Sequence, residues 1–155
     1  MYKRILVPLD GSELAECVLP HVESIAKGCG VVDVVFLRVV EPVFMAETYD
    51  EADINPEDVK RMETQVKANA VDYLKQVASR AKYDGTTVET KVVNGRAAES
   101  IVDYATKNGV DLIAMATHGR SGPSRWVMGS VADRVVRSGC IAVLMVTPPG
   151  CMPKI

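Results

Sequence analysis

The sequence predicts an α/β fold, an open doubly wound parallel sheet with helices on both faces. Five short apolar runs rich in β-branched residues recur along the chain, and segments of helical spacing separate them. No composition break, internal repeat or low-complexity linker interrupts the alternation. Each return to a parallel neighbour needs a right-handed crossover, which distributes helices over both faces. With 155 residues, 48% of them hydrophobic, the chain is sized for one domain with a substantial core. That domain is expected over residues 1–147, followed by an extended, proline-bearing tail at 148–155.

The first strand is Lys3 to Leu9, KRILVPL, which stops at Asp10-Gly11-Ser12. From Glu13 to Lys27, residues Leu14, Cys17, Val18, Val22, Ile25 and Ala26 keep helical spacing, and Ser12 or Asp10 is available as the cap. Pro20 is a kink site within this helix, and Gly28 and Gly30 mark its end. Val31 to Val40 is the second strand, its charges Asp33 and Arg38 set in an otherwise apolar run closed by Pro42. After an acidic, irregular stretch, Glu57 to Lys82 carries apolar residues at helical period. Thr86 to Val93 reads as a strand, Arg96 to Asn108 as a helix, and Val110 to Thr117 as the fourth strand. Gly129 to Gly139 is a short helix, and Ile141 to Val146 is a fifth, apolar strand expected at a sheet edge.

Composition narrows the function. Eighteen basic residues face twenty acidic ones, a net charge of −2, so no nucleic-acid or membrane-surface partner is expected and any phosphate recognition must be local. The N-terminal apolar run is too short for a signal core or a membrane span, which gives a cytoplasmic expectation. Cys17, Cys29, Cys140 and Cys151 form no CxxC pair and are read as reduced thiols. Glu47, Asp50, Glu51 and Asp53 read as a solvated acidic cluster, and no protein metal site is assigned.

In a doubly wound sheet, ligands sit beyond the carboxyl ends of the strands where the strand order reverses. That rule selects Pro8 to Ser12, Val39 to Pro42, and the chain from Thr117 onwards. The last of these, THGRSGPSRWVMGS, leads into a helix whose start, Gly129-Ser130, offers backbone N–H groups and a hydroxyl without a bulky side chain. Gly119, Gly122 and Pro123 suit an irregular loop, and Arg120 and Arg125 add positive charge. A plain structural loop explains the same residues, and neither GxxxxGK[ST] nor GxGxxG is present to decide between them.

The spacing A-x2-G-x9-G-S from Ala116 to Ser130 resembles the G-x2-G-x9-G-[ST] nucleotide loop of the universal stress protein family. The resemblance extends over KRILVPLDGS, FLRVVEP and GSVADRVVRSGCIAVLMV, essentially the whole chain. It implies the adenine-nucleotide alpha-hydrolase-like (Rossmann-like) variant of the fold and a place among the ATP-binding members, although other members have lost the ligand. Carried over by position, it implies that Asp10 accepts from ribose hydroxyls, Pro8 and Leu9 shape that edge, and the Val39 backbone faces adenine. Met115 and Ala116 would line the sugar, and His118 and Gly119 would bound the phosphates. Gly129, Ser130, Val131 and Ala132 would present amides or a hydroxyl to the phosphate chain, with Mg²⁺ bridging the phosphates. Ala116 departs from the motif, placing a methyl group where the family has glycine. A homodimer through the last strand is also implied.

No catalytic residue is assigned. Phosphate-loop lysine and a water-positioning pair are missing from the sequence, and His118 has no carboxylate or nucleophile partner beside it in the motif. The expected function is an ATP-binding, stress-response regulatory module with little or no intrinsic hydrolysis. The alternative is a nucleotide-free dimeric interaction protein of the same fold, for which Ala116 is the argument. Trp126, the single tryptophan, fits a role over the ligand, against a partner or in its own domain.

Overall fold

The computed structural model describes residues 2–42, 55–118, 128–139 and 141–149. Along the chain these form β1 (Arg4–Pro8), α1 (Glu13–Glu16), α2 (Leu19–Cys29), β2 (Asp33–Val40) and α3 (Pro56–Arg80). They continue as β3 (Thr87–Asn94), α4 (Ala97–Lys107), β4 (Leu112–Ala116), α5 (Ser130–Arg137) and β5 (Ala142–Val146). The five strands form one parallel sheet in the order β3-β2-β1-β4-β5. This is the doubly wound arrangement expected from the alternation of patterns, with β5 at an edge.

Strand side chains alternate between faces, and each face of the sheet builds its own core. Ile5, Val7, Val34, Phe36 and Ala114 pack with Ala15 of α1, Val22 and Ala26 of α2, and Leu74 and Val77 of α3. Leu6, Val35, Leu37, Ile113 and Met115 pack on the opposite face with Ala98, Ile101 and Ala105 of α4 and Ala132 and Val135 of α5. Ile5, Leu6 and Val7 are all at 0% exposure, so β1 is the strand enclosed on both faces and both edges. Burying side chains of this size contributes roughly 1.5–3 kcal/mol each.

One expected helix is two. Cys17 ends α1, and α2 restarts at Leu19 with Pro20 in its first turn, where a residue without an N–H removes no helical hydrogen bond. Gly30 then closes α2 at φ +62, its amide donating to the Ala26 carbonyl. α3 starts at Pro56 behind Asn55, whose side chain accepts from the Glu57 amide. Among the described residues no helix is long and apolar enough to cross a membrane.

The amino end of the sheet is fastened by one carboxylate. Asp111 Oδ2 accepts from the Lys3 amide at 2.8 Å and the Arg4 amide at 2.9 Å, and the Asp111 amide donates back to the Arg4 carbonyl at 3.0 Å. The two amide bonds hold the Asp111 carboxyl below its ordinary range. A depressed folded-state value stabilises the fold above the unfolded carboxylate range and loses that contribution as pH falls through the folded value. Asp111→Ala is therefore expected to lower the Tm by about 2–4 °C at pH 7 and by less near pH 3. Thermal melts at both pH values check this; an equal deficit at both would contradict it.

Candidate functional site

The strand order reverses between β1 and β4, and there the helices that follow the two strands diverge. β1 leaves the sheet at Pro8, but pairing continues for one residue, with the Leu9 amide donating to the Leu37 carbonyl at 2.9 Å. Gly11 then turns the chain at φ +86, a conformation that glycine adopts without strain. Ser12 caps α1, its hydroxyl accepting from the Ala15 amide at 3.2 Å. Asp10 Oδ1 in turn accepts from the Ser12 amide at 2.9 Å and the Ser12 hydroxyl at 2.6 Å. The two capping candidates thus have separate roles: Ser12 caps the helix and Asp10 orients Ser12.

A second tie secures α1 from behind. The Tyr73 hydroxyl of α3 donates to Glu16 Oε1 at 3.1 Å, and Arg80 pairs with Glu16 Oε2 at 3.0 Å. Burial, followed by the Glu16 charge, pushes the Tyr73 phenol above its ordinary value. Tyr73 consequently remains a neutral donor at physiological pH.

The opposite wall comes from the end of β4. The Thr117 amide donates to the Val146 carbonyl at 2.8 Å, and the Thr117 carbonyl accepts from the Gly129 amide at 2.9 Å. The chain thereby returns to the strand from which it departed, and α5 begins at once. Gly129 is the N-cap of α5 and supplies no side-chain bond to it. The first helical amides, at Ser130, Val131 and Ala132, have no acceptor within the helix, and the positive end of its dipole is added to them. His118 is half-buried, with Nδ1 2.9 Å from Thr117 Oγ1.

These walls enclose a cavity of about 420 Å³. Pro8, Leu9, Asp10, Val39, Met115, Ala116, His118, Gly129, Ser130, Val131 and Ala132 all line it, so the structure brings together eleven of the twelve residues nominated from sequence. Gly119, the twelfth, lies outside the described residues, as do Arg120, Gly122, Pro123, Arg125 and Trp126. The acidic cluster Glu47, Asp50, Glu51 and Asp53, and Cys140 and Cys151, also lie outside them. Cys17 and Cys29 are partly buried, reduced cysteines. Ala116 is 7% exposed and lines the cavity.

Three further polar residues line the cavity: Glu41 and Thr117 fall in stretches that the strand-end rule selects but were given no role, and Arg38 lies just outside them. Arg38 Nη1 donates to the Leu9 carbonyl at 3.4 Å, and Glu41 Oε1 accepts from the Ala97 amide, at the start of α4, at 3.3 Å. A charge inside an apolar strand, one residue before Val39, was the available signal for Arg38. Among the described residues there is no cluster of three or more His, Cys, Asp or Glu that could hold a metal. Chemically, the cavity wall combines a carboxylate, helix-start amides and apolar side chains. That arrangement suits a ligand with hydroxyls, a flat apolar portion and an anionic tail.

The sequence model of the universal stress protein family matches residues 1–147. The chain belongs to that family. Universal stress protein MJ0531 of Methanocaldococcus jannaschii is 30% identical to it over 150 residues, covering 96% of this chain and 84% of that one. Universal stress protein MJ0577 of the same organism is also 30% identical, over 94% of this chain and 95% of its own length. The MJ0577 structure aligns with a TM-score of 0.80 at 29% identity, over 97% and 99% of the two chains. A universal stress protein family structure from Arabidopsis thaliana, with AMP bound, aligns with a TM-score of 0.66 at 14% identity over 96% and 93%, a likeness of fold.

Gly129 has a packing role within this family fold as well as a place in the cavity. A Cβ at Gly129 would stand 2.9 Å from the Thr117 carbonyl oxygen, closer than real Cβ contacts come. Ligand access is therefore not the sole reason for glycine here. Gly129→Ala is expected to destabilise the fold by about 1–3 kcal/mol, which is a Tm lower by roughly 3–10 °C for a chain of this size. An unchanged Tm would show that strand end and helix start do not approach so closely.

Proposed function

We propose that this universal stress protein is an adenine-nucleotide-binding regulatory module of the stress response, with ATP as its ligand. The observation that carries the reading is one cavity lined by both Asp10 and the start of α5. Its volume of about 420 Å³ falls in the range of small-molecule sites. In this reading Asp10 accepts from the ribose hydroxyls, beside Pro8 and Leu9. The Val39 backbone meets the adenine edge, and Met115 and Ala116 flank the sugar. His118, Gly119 and the Gly129–Ala132 segment take the phosphates. The structure from Arabidopsis thaliana that resembles this fold carries AMP, which supports the reading.

A Mg²⁺ ion in this site would take its oxygens chiefly from the phosphates, because the described residues contain no cluster of metal ligands. When bound, it would neutralise phosphate charge. The chain's own groups bind and orient rather than transfer protons. Asp10 is engaged with Ser12, Glu41 bonds the Ala97 amide, and His118 contacts Thr117. The proposed protein therefore holds ATP with little or no hydrolysis.

Ala116 favours a second reading, a nucleotide-free interaction protein, because this cavity-lining position carries a methyl group that the family's glycine lacks. Mass spectrometry of freshly purified, denatured protein separates the two. Release of near-stoichiometric ATP or ADP supports the nucleotide reading. A blank, followed by no calorimetric binding of ATP, would overturn it. Asp10→Ala is expected to weaken both ATP and adenosine by about ten- to a hundredfold. Multiple-turnover ADP production by the wild type, abolished by Asp10→Ala, would contradict the absence of robust hydrolysis.

A homodimer through β5 belongs to the same proposal. β5 is an edge strand whose apolar Val143, Leu144 and Met145 are half-buried, and pairing with a second copy would cover that edge. Light scattering at micromolar concentration is expected to give a dimer mass, and a monomer would contradict this assembly.

A further inference from the structure

The Leu9–Ser12 turn is held from two sides. On the α1 side, Asp10 Oδ1 is engaged by the amide and hydroxyl of Ser12. On the β2 side, the Leu9 amide donates to the Leu37 carbonyl at 2.9 Å, and the Leu9 carbonyl accepts from Arg38 Nη1 at 3.4 Å. Both polar backbone groups of Leu9 are thus bonded to consecutive residues of β2. The same guanidinium lies alongside Gly11, where a Cβ would stand 3.9 Å from Arg38 Cζ. Arg38 and Asp10 share the cavity wall.

We propose that Arg38 is a positioning residue that sets ribose specificity: by holding the Leu9–Gly11 backbone it presents the Asp10 carboxylate to a ribose diol and selects ribonucleotides over 2′-deoxyribonucleotides. The inference rests on the reading of the cavity as an adenine-nucleotide site and assigns the part of the ligand that Arg38 controls. A carboxylate discriminates a diol from a single hydroxyl only when its oxygens are fixed in place, and a charged hydrogen bond of that kind is worth about ten- to a hundredfold in affinity. Gly11, at φ +86, has no side chain with which to stiffen the turn. The long Arg38 side chain, anchored in a paired strand, supplies that stiffness. Its planar guanidinium can donate to a carbonyl while lying against the neighbouring backbone, a combination that lysine reproduces only in part.

The test compares ATP with 2′-deoxy-ATP by calorimetry on the full chain. The wild type is expected to prefer ATP by about tenfold or more. Arg38→Ala is expected to bring the two affinities within about twofold by weakening ATP, leaving 2′-deoxy-ATP within about threefold of wild type, and Arg38→Lys to restore part of the preference. Arg38→Met, which keeps the aliphatic stem, takes the place of Arg38→Ala if the alanine variant does not fold. A preference unchanged in Arg38→Ala, or both nucleotides weakened by the same factor, would overturn the proposal. Equal binding of the two by the wild type would overturn it while leaving the nucleotide site standing. Binding of neither by the wild type would overturn the site reading and this inference with it.

Discussion

The enclosure of β1 is the constraint on which the rest of the structure depends. Ile5, Leu6 and Val7 are fully buried, with β2 on one edge, β4 on the other and helices over both faces. A strand so placed has no solvent face to satisfy, so it must be apolar throughout, and its polar backbone must be bonded on both sides. The crossovers then run outward in two directions, β1 to β2 to β3 and afterwards back across to β4 and β5. At the carboxyl end of β1 the two directions part. The cavity is the space left by that parting, and no separate element is required to make it.

Several residues at this edge are fixed by folding before any ligand enters the argument. Ser12 is needed to start α1, and Asp10 is needed to orient Ser12. Gly129 is needed because the Thr117 carbonyl passes where its Cβ would be. The same positions bear the carboxylate and the helix-start amides that the proposed nucleotide would engage. Packing and binding are coupled here, so a substitution that harms the site can also harm the fold. Comparing ligands on one protein separates these effects better than comparing proteins with one ligand.

Much of this arrangement was legible in the sequence. Apolar runs at strand length, helical spacing between them and the Gly-Ser start of α5 are local signals, and local signals locate elements and strand ends well. Pro20 was visible as an interruption, but whether it would kink one helix or start another depends on how α1 and α2 pack against the sheet. Gly129 was read as a gap for an anion because a single chain segment does not reveal that Thr117 passes 2.9 Å from its would-be Cβ. Arg38 was missed, and Glu41 left without a role inside a selected stretch, for a related reason. In the sequence Arg38 is a charge tolerated within an apolar strand and Glu41 the start of an acidic, irregular stretch, whereas their importance comes from neighbours 29 and 56 positions away, Leu9 and Ala97.

In the proposed complex one ligand spans the reversal point, with its nucleoside beside β1 and β2 and its phosphates at the start of α5. Amide chemical shifts in isotope-labelled protein, followed during parallel titrations with ATP and adenosine, test it most directly. Both ligands are expected to move the amides of Asp10 and Val39, and ATP alone to move strongly those of Ser130, Val131 and Ala132. Shifts from ATP confined to another surface, or identical patterns from ATP and adenosine at the start of α5, would contradict it.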